Sequence, residues 1–570
     1  MKIVFRKYLK EIIGLSLILL TCLTASATDI PFAVKAGLYN QSLPDDLGLE
    51  KAEGTETNVV FWPTGDEDKF CNGVVMIGFK DSIYCQWQSS ASDEDATDTW
   101  VAFSASKDGI NWTKPRVLAT SIDNGYCSSG GWYVNGDTLV GYINTWPNLT
   151  PRGGYTRYVA TTDGSTWTDP KVVTMAGGDT LNGIFEQDPR AIPGGRIINA
   201  AHFQPGLIIN PIYTDDPSGV RGWIKGDYTN LSISDNISQG IEPSLYQRGD
   251  GAIVLILRDQ NSSYKKLASV SYDSAKTWTP VVKTSMPDAR TKQSAGNIAD
   301  STVYMVGNPN DDKLRIPLVV TLSSDGSYFN TAYLLLEDHD TLPDEPRFSG
   351  TAKRKGFHYP KTMVWKDTMY VSYAYYKEDV MYTRVPLKSL AIDTSAGANP
   401  SLSIDENDIS VTYLAGSDTL KVSTNIEYWV SESSSWLSTS KPNDSTLVIK
   451  HTQNMTLDPR SDTITIGGPF VESKIIVVEQ EGGTSFTNAK AENEFSFTVF
   501  SNSNKLIIVQ SNTLVNNATI SLYNINGQEI YEGIMNGTEM IIELNDQPPG
   551  TYIVRFLTNN TAQSQIILLK

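Results

Sequence analysis

The chain is poor in the groups from which metal and redox sites are built. Its 570 residues include four histidines and four cysteines. Neither an HExxH nor a CxxC spacing occurs, so neither a zinc-hydrolase helix nor a dithiol motif is expected, and no metal or cofactor is assigned. Cys22 lies in the N-terminal segment. Of Cys71, Cys85 and Cys127 one thiol is left over whatever pairs, which excludes a disulfide-dense scaffold. Cys71 and Cys85 are spaced to bridge neighbouring strands. Positive charge is also scarce: 46 Lys and Arg against 64 Asp and Glu give a net −18. That excludes binding nucleic acid or an anionic membrane through bulk charge, although a few arginines still suffice for a local anionic ligand. After the first residues no apolar run is long enough to cross a bilayer, so membrane insertion is not expected.

The start, "MKIVFRKYLKEIIGLSLILLTCLTASA", has a basic beginning, an apolar run and small residues at Ala25–Ala27. This layout predicts a secretory signal peptide over residues 1–27. Beyond it, one polar turn recurs: "SKDGINW" at Ser106–Trp112, "TTDGSTW" at Thr161–Trp167, "SYDSAKTW" at Ser271–Trp278 and "SSDGSYF" at Ser323–Phe329. The starts are 55, 110 and 52 residues apart, and the double interval predicts a further copy near "YTDDPSGVRGW", Tyr213–Trp223. Around the copies lie short β-branched and aromatic runs such as "TLVGYIN", "AIVLILR" and "TMYVSYAY", bounded by Gly, Asp and Asn. A unit of about 50 residues with four short strands is one propeller blade. Residues 28–395 then hold six blades, or seven if the N-terminal part contributes more. The turn itself is a fastener: Asp and Ser/Thr side chains bond nearby amides and Gly permits positive φ.

These turns resemble the Asp-boxes of the sialidase superfamily, which implies an all-β, six-bladed sialidase-like propeller. Two further β-sandwich domains are expected after it. Residues 396–485, with "WVSESSSWLSTS" and "VEQEG", resemble a BACON module, in which Trp429 and Trp436 serve either as packing residues or as a sugar platform. Residues 486–570, with "NINGQEI" and "PPGTYIVRF", resemble the C-terminal sorting domain of type IX secretion cargo. That implies the outer-membrane secretion machinery as a partner and a secreted or cell-surface location.

The resemblance to sialidases covers roughly residues 55–390 and implies a site. "IEPSLYQRGDGAIVLILRDQ" matches the segment holding a glutamate and a substrate arginine, here Glu242 and Arg258. "NPNDDKLRIPLVV" places Arg315 where the next arginine falls, and "KGFHYPKTMVW" places Tyr359 as nucleophile. The acid is expected within "SSASDEDATDTW", at Asp93 or Asp95. Arginine forks grip a carboxylate bidentately, so the implied substrate is an acidic glycan carrying a terminal acidic sugar, and the implied enzyme is an exo-acting glycoside hydrolase. The pattern departs from the family in the first blade: "DKFCNGVVMIGF" has Asn72-Gly73 and no arginine. A second cluster, "GIFEQDPRAIPGGRIINAAHF", carries Glu186, Asp188, Arg190 and His202. It suits a polysaccharide lyase, with His202 or Tyr359 taking the proton beside a uronate carboxylate and the arginines holding it. Each of these residues also has a plain alternative as a strand-edge ion pair or core residue, and a catalytically silent glycan-binding propeller is the third reading.

Overall fold

A computed structural model of the protein describes residues 30–569 except 92, 149–152, 300, 338–344, 396–397, 484–495, 502–505 and 559–561. The expected signal peptide and Cys22 lie outside the described residues. Two compact units divide at Gly482 and Gly483. Among the described residues the regular structure is strand, apart from one 3-10 turn at Leu387–Ser389.

In the first unit, six sheets follow one another along the chain. Their first strands are Phe70–Phe79, Tyr126–Asn135, Gly183–Phe185, Gly240–Gln247, Ser294–Asn297 and Phe357–Trp365. Phe357–Trp365 packs against Phe70–Phe79, so the sixth sheet meets the first and a ring closes. The sixth sheet is completed by Glu56–Phe61, which pairs antiparallel with Asp379–Pro386. This N-terminal strand ties the two ends of the ring together, and Arg384 Nε donates to Glu56 Oε2 across the seam at 2.8 Å.

The apolar residues point from each sheet into the next. Six clusters result, one in each gap: Val75 with Trp132, Tyr142 with Trp223, Ile198 with Leu255, Val254 with Phe329, Val320 with Val371, and Trp87 with Tyr382. Strands buried on both faces read as unbroken apolar runs, as "IVLIL" at Ile253–Leu257 does.

The recurring turns share one hydrogen-bond scheme. Gly109 N donates to Ser106 Oγ at 2.8 Å, and Asn111 N to Asp108 Oδ1 at 2.8 Å. Thr161 with Asp163, Ser271 with Asp273 and Ser323 with Asp325 repeat it. In the degenerate copy Asp216 accepts from Ser218 N at 3.0 Å, and Trp223 is fully buried. These backbone amides hold Asp108 and Asp163 well below the usual carboxylate range.

The cysteine expectation needs correcting. Cys71 and Cys85 sit on adjacent strands but out of register, Cys71 opposite Ser89 and Cys85 opposite Met76. All three of Cys71, Cys85 and Cys127 are free and buried.

Still within the first unit, Leu402–Gln480 forms two four-stranded sheets around a shared core of Leu420, Leu447, Ile464 and Ile476. Trp436 packs at its edge with Arg460 stacked on the ring at 4.3 Å, while Trp429 is 45% exposed. The second unit is a five-stranded sheet between Phe497 and Leu569, built around Ile507, Ile520, Val554 and Phe556.

Burial pushes the Cys71 and Cys85 thiols far up and raises Cys127 as well. The folded chain lacking residues 1–27 is expected to show no thiol reactive to an aromatic disulfide reagent and three in guanidinium. A native reactive thiol, or a count of one after unfolding, contradicts the unpaired, buried assignment.

Candidate functional site

The N-terminal ends of the six first strands converge on one mouth of the ring, around a cavity of about 280 Å³. Four of these strands bulge, Tyr126–Asn135 between Ser129 and Gly131, and the other three carry the same irregularity. Ile241 to Ser244 faces only Arg258 to Ile256, His358 to Lys361 faces only Ala374 to Ser372, and Asn72 to Val75 faces only Gln88 to Gln86. Each is a bulge with one extra residue on the inner strand, a device that re-aims a side chain. The bulged residue has positive φ in each: Gly73 at 61°, Glu242 at 51° and Tyr359 at 54°. A left-handed glycine costs little, whereas the other two carry strain of about 1–3 kcal/mol each. At Gly73 a Cβ would run into Ser129 Oγ.

Glu242 and Tyr359 both line the cavity. One Glu242 oxygen accepts from Arg258 Nη1 at 2.8 Å; the other, Oε2, is buried without a partner. Burial pushes this carboxyl up, but Arg258, aided by Lys292 and Arg315 and opposed by Glu186, leaves it below its ordinary value. Tyr359 is raised, first by burial and then by Glu242, so the phenol is neutral. Arg315 lies 5.2 Å from the Tyr359 ring centre, Lys377 5.6 Å and Lys292 5.8 Å.

Glu186 and His202 enter the same cavity from the third sheet. Lys292 pairs with Glu186, and His202 Nδ1 lies 3.5 Å from Glu186 Oε1. His202 Nε2 accepts from the backbone N–H of Glu242 at 3.1 Å, so the imidazole props the bulge that carries Glu242. Burial opposes the Glu186 charge, but Lys292 and His202 outweigh it and lower its pKa. An aromatic wall, Tyr126 stacked on Trp146 at 5.5 Å, closes one side.

Several expected residues fall elsewhere. Asp93 Oδ1 accepts from Thr351 N at 2.6 Å, and its side chain is not in the cavity wall; Glu94 and Asp95 are. Glu94 is held by Lys377 at 2.6 Å. Asp188 and Arg190 line a different cavity, with Trp132, Leu245 and Thr362, at the C-terminal ends of the same strands. Asp188 there accepts from Trp132 N at 2.6 Å, and Arg190 donates to Tyr304 Oη at 3.2 Å. The segment Glu186–Arg190 crosses from one mouth to the other, which separates Glu186 from the two residues after it. Arg258 and Arg315 flank Glu242 and Tyr359, but neither lines the cavity. Arg258 is taken by Glu242 and Gln260, and Arg315 donates to His358 Nδ1 at 2.8 Å.

Two charged lining residues, Lys292 and Lys361, were not anticipated, nor was the Tyr126–Trp146 wall. Lys361 stands two places after Tyr359, where the bulge decides which way it faces. Lys292 precedes a four-residue strand with no periodicity to read. Among the described residues, no group of three His, Cys, Asp or Glu side chains is arranged to hold a metal ion.

A ring of sheets with a polar cavity at one mouth defines a propeller with a channel-end site. Residues 81–371, just over half the chain, match the BNR repeat-like domain, and the chain belongs to that family. Residues 501–570 match the secretion system C-terminal sorting domain, which places the chain among secretion cargo. No curated protein matches the sequence. Among solved structures it is similar to a protein of unknown function from Dyadobacter fermentans, at 17% identity over 58% of this chain and 99% of the other, TM-score 0.45. It is also similar to the NanB sialidase of Streptococcus pneumoniae, at 12% identity over 59% and 71%, TM-score 0.46. A third is the Penicillium chrysogenum α-L-arabinanase, at 12% identity over 58% and 98%, TM-score 0.40.

Removing one partner of a buried ion pair strands the other charge. Arg258→Met is expected to lower the unfolding free energy by about 3–5 kcal/mol, and Glu242→Leu/Arg258→Met to recover most of it, read by guanidinium titration. The Glu242 carboxyl titrates below its unfolded value, so its contribution is present above about pH 4.3. It is lost as pH falls through the lower folded value. An Arg258→Met protein as stable as the parent contradicts the pairing.

Proposed function

We propose that the chain is an exported glycoside hydrolase that removes a terminal acidic sugar from glycans, with Tyr359 as nucleophile and Glu242 as its base. The observation that supports this most is the pair of matched bulges carrying a neutral tyrosine and a carboxylate with one buried, unpartnered oxygen into one cavity.

Tyr359 Oη attacks the anomeric carbon while its proton passes to Glu242 Oε2. The glycosidic C–O bond breaks, and the leaving oxygen takes a proton from Asp95, the one of the two expected aspartates that lines the cavity. Water then attacks the same carbon, giving its proton to Asp95. The Tyr359–sugar bond breaks, and the phenolate recovers its proton from Glu242. A neutral phenol suits an anomeric centre near a carboxylate better than a second anion does, the exception to two-carboxylate hydrolysis. Tyr126 and Trp146 offer an apolar wall to a sugar ring.

The uronate-lyase reading is less well served. Its expected bases are His202 and Tyr359. Tyr359 serves either reading, so the product decides there, whereas a histidine base is already engaged, both at His202 and at His358 beside Tyr359. His202 is held between Glu186 and the Glu242 amide. His358 is fully buried, kept neutral by burial and by Arg315, and bonded at both nitrogens.

Incubation with sialylated and glucuronate-terminated oligosaccharides is expected to release free acidic sugar. Tyr359→Phe should reduce this about a thousandfold or more. An unsaturated product absorbing in the near ultraviolet identifies a lyase, and binding without turnover identifies a silent propeller. Undiminished release by Tyr359→Phe rules out the nucleophile.

A further inference from the structure

We propose that Lys361, rather than an arginine clamp, binds the carboxylate of the substrate sugar. This rests on the hydrolase reading only in taking the ligand to be an acidic monosaccharide.

The other lysine of the lining, and the three cations that flank Glu242, Glu94 and Tyr359, are already committed. Lys292 pairs with Glu186, Lys377 with Glu94 and Arg258 with Glu242, while Arg315 donates to His358. Lys361 lines the cavity, is 4% exposed, and its Nζ makes no hydrogen bond and no ion pair within 4.0 Å among the described residues. A buried ammonium without a partner is costly, and proteins keep such a group only where something repays the desolvation. A ligand carboxylate does that. It would form a charge-assisted hydrogen bond where the protein supplies none.

The charges acting on Lys361 come from the third sheet and from the loop before the fifth. Burial and Lys292 push its pKa down to about 8; Asp188 and Glu186 oppose the shift, and Arg190 adds to it. The ammonium is therefore the main form at neutral pH and is lost just above it. On the adjacent first sheet stand Asn72 and Gly73, in the blade that lacks the arginine. Asn72 Oδ1 is buried without a partner, an acceptor suited to a sugar hydroxyl. A volume of about 280 Å³ is at the small end of ligand sites and admits one sugar residue.

The test is binding, read separately from turnover. In the Tyr359→Phe chain, N-acetylneuraminate and glucuronate are titrated by calorimetry at pH 7.0 and 9.5 alongside neutral glucose. Adding Lys361→Met should weaken the acidic sugar about ten- to a hundredfold and leave glucose unchanged, and Lys361→Arg should restore most of the loss. The acid affinity should fall between the two pH values, and this fall should vanish in Lys361→Met. The proposal is overturned if neither acid binds, if Lys361→Met binds the acid like its parent, or if acid and glucose weaken together. Those outcomes leave the hydrolase reading to stand or fall on sugar release.

Discussion

The site depends on a backbone constraint: an extra residue in an inner strand, held with positive φ. At Glu242 and Tyr359 this places a large side chain in a conformation that glycine takes easily and others resist. The bulge breaks the strand alternation locally, so residues that would face a neighbouring sheet face the channel instead. His202 secures the Glu242 bulge by accepting its amide hydrogen. Ser372 Oγ, bonded to the carbonyl of Lys361 at 3.2 Å, secures the strand just past Tyr359. The strain is carried by a ring whose six gaps are filled with apolar side chains and whose ends are tied by Glu56–Phe61.

Electrostatics then divides the cavity's groups into two kinds. Most charges are satisfied by each other, and these pairs set shape: Arg258 orients Glu242, Lys292 orients Glu186, Lys377 orients Glu94. A few polar atoms are left buried and unmatched, among them Glu242 Oε2 and Asn72 Oδ1. Groups of the second kind are the ones that a ligand can complete, because an unmade bond in a low-dielectric cavity is where binding gains most. For a chain with net charge −18, this local arrangement rather than bulk charge would determine affinity for an acidic sugar.

Much of the fold was legible from spacing. The Ser–Asp–Gly turns repeat because each needs the same amide donors, and their intervals marked out the repeating sheets. Glu242 and Tyr359 were legible through family resemblance and share a feature in the sequence, an apolar strand interrupted by "Glu-Pro" and "Tyr-Pro". The contacts were harder to read. Glu186, Asp188 and Arg190 are close in sequence, yet the chain crosses the channel between them, so proximity along the chain grouped residues that face opposite mouths. Arg258 and Arg315 were expected to hold a substrate carboxylate, but that Glu242, Gln260 and His358 take their hydrogen bonds is a three-dimensional fact. Lys361 was invisible because a two-residue period, counted from Tyr359 through a bulge, does not say which face it takes.

The central claim is that a tyrosine presented by a bulge is the group that bonds to the sugar. The most direct measurement is mass spectrometry of the chain after incubation with a fluorinated glycosyl fluoride of sialic or glucuronic acid, which slows the second step and traps the intermediate. The account predicts a single glycosyl adduct on the peptide containing Tyr359. An adduct on Glu186 or Glu242, or continued turnover with no adduct at all, would contradict it.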